Sequence, residues 1–372
     1  MSTRRTFFAQ LGAAAAAARL LPEMAYAQRA AIKLDNLPPD TVFLNANENP
    51  AGIPEPVLAA MRDVMPTANR YHYQEFRDTT AAVAASEGLN PDQVILGAGS
   101  SEVLHNIIDV FTSPTRPIIS VAPAYEAPIE QTRFYGHPVV LTKLRDDYTA
   151  DVHLLAEEAD KARGGLIYLC NPNNPTASVT RAKELDWLVN NLPGDTTLLV
   201  DEAYFHFVEA DDVASAIPYV KQGKNVIVTR TFSKIYGMAG LRAGFAAGRP
   251  DLIARFAPLR INVISIVTGR GVVAALRERD SILPARKTSL VKTRRELCDW
   301  LTDSKVGFIP PHANFMMIDC GRDAHEFIET MPRLGVAPGR PFPPLDNMLR
   351  VTIGTDQEMA KFREVFWKVY KG

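Results

Sequence analysis

Cysteine is scarce in this chain: three among 372 residues, Cys170, Cys298 and Cys320. No two stand at metal-ligand spacing and no histidine run accompanies them, which argues against a zinc site or any other metal centre. A Cys298–Cys320 bridge stays open for an oxidising compartment, beside the commoner state of buried free thiols. Excess charge is missing too. The 41 Lys and Arg residues face 42 Asp and Glu, a net charge of −1. That balance gives no electrostatic reason to expect nucleic acid or a membrane surface as partner. The Ala-rich stretch over residues 11–21 is too short to span a bilayer, and no internal repeat or further low-complexity segment occurs. What remains is 47% hydrophobic and 22% charged, an ordinary globular composition with length enough for a core and two lobes.

The N-terminus carries an address. Thr3-Arg4-Arg5-Thr6-Phe7-Phe8 resembles the twin-arginine export motif, an apolar stretch follows, and Ala25-Tyr26-Ala27 has the small-x-small form of a cleavage site. Arg19 beside the apolar stretch and the lack of Lys after Phe8 depart from the usual pattern. The order of features predicts a signal peptide over residues 1–27 and a mature protein in the periplasm or otherwise exported; read as a plain Ala-rich helix, the segment leaves the protein cytoplasmic.

From about Asn90 short apolar runs alternate with helical patterns. Strands are predicted at 94–96, 118–121, 139–142, 166–170, 197–200, 226–229 and 243–246, with helices such as 102–111 and 180–191 between them. This alternation predicts an α/β layer fold with a mostly parallel sheet, whose ligand lies beyond the carboxyl ends of the strands. After about residue 261 the pattern changes to a helical stretch over 269–306 and short strands near 315–319 and 349–353. The division predicted is an N-terminal arm over 28–60, a large domain over 61–260 and a smaller α+β domain over 261–372, with a stiff Pro-rich loop at 339–344.

Four segments after predicted strands carry chemistry. Ser233 and Lys234 follow one strand, and Gly240-Leu241-Arg242-Ala243-Gly244 lies just beyond. Glycines beside an Arg let backbone approach a small anion that the guanidinium grips in a fork. Lys and Arg together suggest a phosphorylated aldehyde. Asp201 ends an apolar strand, where a buried carboxylate needs a cation such as a pyridinium nitrogen; capping of the next turn is the plain alternative. Tyr204 would then reach a ring hydroxyl. Asn171-Pro172-Asn173-Asn174-Pro175 is a rigid polar turn whose amides can bond a ring oxygen and a substrate carboxylate, or merely a turn. Gly97-Ala98-Gly99-Ser100-Ser101 opens a helix and forms an anion site at its N-terminus.

In combination these segments resemble the fold-type I pyridoxal 5′-phosphate (PLP) aminotransferases of class I/II, an aspartate aminotransferase-like fold, and within them the histidinol-phosphate aminotransferase branch. Asn45-Ala46-Asn47-Glu48-Asn49-Pro50, Asn69-Arg70-Tyr71 and Leu349-Arg350-Val351-Thr352-Ile353-Gly354 extend the likeness from Asn45 to the C-terminus. The resemblance implies that Lys234 holds PLP covalently and shuttles the proton. Asp201 would pair with the pyridine nitrogen, Tyr204 and Asn174 would hold the ring oxygen, and Tyr125 would stack on the ring. Ser100, Ser101, Ser233 and Arg242 would bind the phosphate. Tyr71 would reach the phosphate of a neighbouring subunit, which implies a homodimer. Arg350 and Asn174 would take the substrate α-carboxylate. Arg340 stands near the branch's second substrate-binding Arg; a solvated loop charge is the alternative there.

Departures from the branch concern its substrate pocket: Ala51 and Gly52 replace a usual Tyr, Ala177 a Gly, Ser101 an Asp and His72 a Pro. His105 and His206 read as structural groups rather than acid–base catalysts. The resemblance implies ping-pong transfer of an amino group between an L-amino acid and a 2-oxo acid. Decarboxylation, C–S lysis or racemisation on the same fold is the alternative, and a ligand-binding relative without catalysis the third. Retention of Lys234, Asp201 and Arg242, with no DNA-binding pattern before Asn45, argues against the last.

Overall fold

The computed structural model describes residues 37–260 and 263–372; the expected signal peptide lies outside the described residues. In chain order the strands are β1 (Val42–Phe43), β2 (Val94–Gly97), β3 (Ile118–Ala122), β4 (Val139–Lys143), β5 (Gly165–Cys170), β6 (Thr196–Asp201), β7 (Val226–Thr231), β8 (Gly244–Gly248), β9 (Phe315–Asp319), β10 (Val336–Ala337) and β11 (Met348–Thr352). Seven form one sheet in the order β2-β8-β7-β6-β5-β3-β4. Strands β3 to β7 run parallel, and β8 runs against both of its neighbours. The expected α/β fold with a mostly parallel sheet is what forms.

Apolar sequence explains the sheet's centre. Every residue of β5, β6 and β7 is buried. Their runs Leu166-Ile167-Tyr168-Leu169, Leu198-Leu199-Val200 and Val226-Ile227-Val228 show no polar alternation, as strands covered on both faces require. Crossover helices supply the covers. In Val152–Lys161 the residues Val152, Leu155, Ala156 and Ala159 are buried, the spacing of one helical face. Asp151 starts that helix by accepting the N–H groups of His153 and Leu154 at 3.1 and 3.2 Å, a cap whose loss costs about 1 kcal/mol.

The smaller lobe pairs β9 with β11 antiparallel, Arg350 opposite Met317. The predicted helical stretch over 269–306 is in fact two helices, Ile266–Arg277 and Arg279–Asp303, parted at Glu278 (φ −94°, ψ 14°). Apolar periodicity runs across so short a break, so the pattern alone concealed it. The first of these helices lies close against the N-terminal region, since a Cβ at Gly271 would sit 3.2 Å from Met61 and one at Gly269 3.1 Å from the Thr79 hydroxyl. The arm also reaches the small lobe. β1 pairs parallel with β10, Leu44 N–H donates to Ala337 O at 2.8 Å, and Thr352 N–H donates to Leu44 O at 2.9 Å. All three cysteines are free thiols, so no Cys298–Cys320 bridge forms.

Candidate active site

The carboxyl ends of β5, β6 and β7 bring three predicted segments to one edge of the sheet. Asp201 closes β6 and is 3% exposed. Its carboxylate accepts from Tyr168 on β5 (3.2 Å) and from Thr229 on β7 (3.0 Å). Thr229 stands directly beside Asp201 in the register of the two strands. Burial raises the Asp201 pKa to about 6, although both hydroxyls pull it down. The Ala203 backbone also donates to the carboxylate, and among the described residues its hydrogen bonds come from neutral groups and not from a cation.

Lys234 follows β7 and is half-buried. Its ammonium donates to Ala46 O at 3.2 Å and lies 5.6 Å from the centre of the Tyr204 ring. Burial, helped by the positive Arg350 and Arg242, lowers its pKa to about 8. A substantial neutral fraction near pH 8 suits an amine that must act as nucleophile and base.

The anion cradle is built where β2 passes into the helix Ser100–Phe111. The capping residue Gly99 has φ 82° and provides no side-chain cap, so the first turn, whose Ser100 and Ser101 line the cavity, keeps amide groups uncapped by a side chain. Arg242, itself at φ 54°, donates to Ser101 Oγ at 3.1 Å, to Ser233 Oγ at 3.5 Å and to Ala239 O at 2.9 Å. A Cβ at Gly99 would overlap the Arg242 guanidinium, and one at Gly244 would overlap the Ser100 backbone. Both glycines are needed for this close approach.

On the far wall, Arg350 from β11 is 7% exposed. It donates to Asn174 Oδ1 at 2.8 Å and Asn45 O at 2.7 Å, while its buried Nε has no partner. Burial, with the nearby Arg340 charge, lowers its pKa to about 10, so it stays charged at neutral pH. Tyr204 is buried, which raises its pKa, and its hydroxyl accepts from Asn47 Nδ2 at 3.1 Å.

Ser100, Ser101, Tyr125, Asn174, Asp201, Tyr204, Ser233, Lys234 and Arg242 all line one cavity of about 350 Å³. Arg350 meets its wall through Asn174. Tyr71 stands apart, 78% exposed and stacked on Tyr73 with ring centres 5.4 Å apart. Arg340 forms an ion pair with Glu126, donates to Pro341 O at 2.9 Å and lies 4.0 Å from the centre of the Phe342 ring. His206 packs against Tyr236 and its pKa is pushed well below the usual value by burial and by Arg230 and Arg279. His105 lies 3.8 Å from Asp109, and neither histidine lines the cavity.

The sequence reading missed Tyr168 and Thr229, which hold Asp201, and Cys170 and Glu48, which line the cavity. Asn47 lay in a quoted motif without a role. Two departures from the branch pattern have visible consequences. Ala177 takes φ 57° where glycine is usual, and His72 takes φ 51°, which proline cannot adopt. No group of three or more metal-binding side chains occurs, and no helix is long and apolar enough to cross a membrane, among the described residues.

The donor set fits PLP. The cradle of hydroxyls, amides and Arg242 suits a phosphate, the buried Asp201 offers a counter-charge to a pyridinium, the Tyr204 hydroxyl and Asn174 suit a ring oxygen, and Lys234 is the amine for an aldehyde.

Comparison with known proteins agrees. The chain matches the family "Aminotransferase class I and II" over residues 39–366. It is 34% identical to a histidinol-phosphate aminotransferase of Symbiobacterium thermophilum, covering 87% of this chain and 89% of that one. An aromatic amino acid aminotransferase of Cutibacterium acnes is 30% identical over 90% of this chain and 94% of its own. The solved histidinol-phosphate aminotransferase of Sinorhizobium meliloti, in complex with pyridoxal 5′-phosphate, superposes with a TM-score of 0.83 at 26% identity, covering 89% and 91% of the two chains.

Proposed function

The chain belongs to the class I and II aminotransferases, and from that premise we propose how its residues divide the work. The protein is a PLP-dependent transaminase, histidinol-phosphate aminotransferase-like, that moves an amino group between an L-amino acid and a 2-oxo acid in two half-reactions. PLP, when bound, supplies the aldehyde that takes up the amino group and the ring that delocalises the electrons of the broken Cα–H bond.

In our reading Lys234 attaches the cofactor and then moves the proton at the substrate Cα, a task suited to its depressed pKa of about 8. Asp201 holds a positive charge on the ring nitrogen. Arg242, Ser100, Ser101 and Ser233 anchor the phosphate. Tyr204 and Asn174 orient the ring oxygen, and Tyr125 covers the ring face. Arg350 grips the α-carboxylate, its unpartnered Nε and its fork being suited to two parallel bonds. The observation that carries the reading is Asp201, a deeply buried carboxylate bonded to two hydroxyls and a backbone amide but to no cation among the described residues, in one cavity with Lys234 and Arg242. Borohydride reduction of the yellow protein should fix the cofactor on the peptide containing Lys234; labelling at another lysine would overturn the assignment. A donor screen read by the absorbance change of the cofactor then identifies the amino acid.

Two finer readings belong to the proposal. The exposed Tyr71 and Tyr73, at 78% and 58% and stacked on one another, form a pair suited to contact with a second copy of the chain. We read it as a homodimer contact that brings Tyr71 to the partner's phosphate cradle; a monomer in sedimentation would remove it. Export through the twin-arginine route, supported by residues 1–27, makes this an enzyme of the periplasm or another exported location that carries its cofactor out already folded.

A further inference from the structure

We propose that Glu126 is a specificity-determining residue: its carboxylate masks Arg340, so that the pocket beside Arg350 accepts amino acids with uncharged side chains and disfavours those bearing a second anion. The inference rests on the reading of Arg350 as the α-carboxylate clamp.

Glu126 directly follows Tyr125, which lines the cavity, and heads the helix Ala127–Phe134. Arg340 comes from the loop between β10 and β11. That loop is pinned to the clamp itself, because Gly339 N–H donates to Arg350 O at 2.8 Å. The two guanidinium groups share one aromatic ring: Arg340 lies 4.0 Å and Arg350 4.5 Å from the centre of Phe342, which is 3% exposed. An α-carboxylate on Arg350 therefore places a substrate side chain within reach of Arg340. A free Arg there would select a distal carboxylate or phosphate.

Arg340 is engaged instead. It forms an ion pair with Glu126, donates to Pro341 O, and lies over the Phe342 ring. The side chains of the pair are 23% and 15% exposed, so solvent screens them little. Both carboxylate oxygens of Glu126 are buried, and the Arg340 guanidinium, against Oε1, is the charge that compensates them. A substrate anion that drew Arg340 away would strand this carboxylate in a dry site and would also meet its repulsion. A neutral side chain does neither, and Tyr125 on the cavity wall offers it an apolar ring.

The test is equilibrium binding to the PLP-loaded enzyme by calorimetry, with two unreactive five-carbon acids. Pentanoate has one carboxylate and glutarate has two. Wild-type protein should bind pentanoate at least as tightly as glutarate. Glu126→Gln keeps the shape and removes the carboxylate charge that opposes Arg340, so glutarate should tighten about tenfold or more, the scale of one charge-assisted bond, while pentanoate barely changes. Adding Arg340→Ala to that variant should erase the gain. A wild-type preference for glutarate of about tenfold, which needs no variant to detect, overturns the proposal; so does a Glu126→Gln protein in which both acids shift alike or neither shifts. Arg350→Lys should weaken both acids together. If it leaves both unchanged, or if wild type binds neither, the clamp reading fails and the mask falls with it.

Discussion

Asp201→Asn should stabilise the cofactor-free fold while ruining its use of the cofactor. Burial lifts the Asp201 carboxyl from 3.8 to about 6. A shift of that size costs the cofactor-free fold about 3 kcal/mol at pH 8, at 1.36 kcal/mol per pKa unit. The folded pKa lies above the unfolded one, so the folded state holds the extra proton between about pH 4 and 6. Stability is therefore lost as pH rises through that window, and the cost is complete above it. At pH 5 about half of it, roughly 1.5 kcal/mol, has been incurred. Asparagine removes this titration but brings its own loss. Its single oxygen can accept from Tyr168 or Thr229, not both as the carboxylate does, a deficit of about 1 kcal/mol at every pH. In urea titrations of protein stripped of PLP, the variant should exceed wild type by about 2 kcal/mol at pH 8 and by less than about 1 kcal/mol at pH 5. Other groups titrate alike in both proteins and cancel in the difference. PLP should then reverse the order, because only wild type has a counter-charge for the ring nitrogen. A stability gap that does not grow between pH 5 and pH 8 would falsify the view of Asp201 as a strained, cation-seeking carboxylate.

Gly99→Ala places a methyl group in the Arg242 guanidinium and should weaken PLP binding about tenfold or more, the value of a lost charge-assisted bond, as measured by dialysis against free cofactor. The same change strains a residue at φ 82° by about 1–2 kcal/mol, seen in the urea midpoint; unchanged PLP affinity would sink the phosphate-cradle assignment. Protein from the native host should begin at Gln28 and lie outside the cytoplasm, and exchange of Arg4 and Arg5 for Lys should hold it inside. Recovery from the cytoplasm alone, with Met1 or Ser2 at its start, counts against export.

Lys234, Asp201, Arg242 and Asn174 were legible because each follows an apolar run closely, and a parallel sheet gathers such strand ends on one edge. Tyr168 and Thr229 were not. In sequence they look like interior strand residues, and only the pairing of β5, β6 and β7 turns them toward one carboxylate. A single chain carries no record of which strands pair. How the arm docks was hidden for a similar reason. Asn47 N–H donates to the Thr352 hydroxyl, 305 positions away, from a backbone at φ 53° that no glycine announces. Asn314 Nδ2 then fixes the arm by donating to Asn47 O at 2.9 Å.

Charge compensation decides what each arginine of the pocket is for, and the sequence shows only half of it. Arg350 and Arg340 look alike in the chain: each is a lone cation near the C-terminal lobe, and both lie over Phe342. Arg350 donates to two neutral oxygens, Asn174 Oδ1 and Asn45 O, and has a buried Nε left over. Its charge stays unneutralised, and burial has already lowered its pKa to about 10. An incoming carboxylate would relieve that state, so in our reading the residue favours any amino acid. Arg340 has its carboxylate already, supplied by Glu126 from the helix start beside Tyr125. The same argument separates Arg242, whose partners are hydroxyls and a carbonyl; it too has no anionic partner among the described residues, and the phosphate is the anion it would meet. Beside Lys234, the pocket thus has one arginine that would take the cofactor's phosphate and one that would take the α-carboxylate, and the third arginine is already matched. A substrate with a second negative charge has to compete with Glu126 for it.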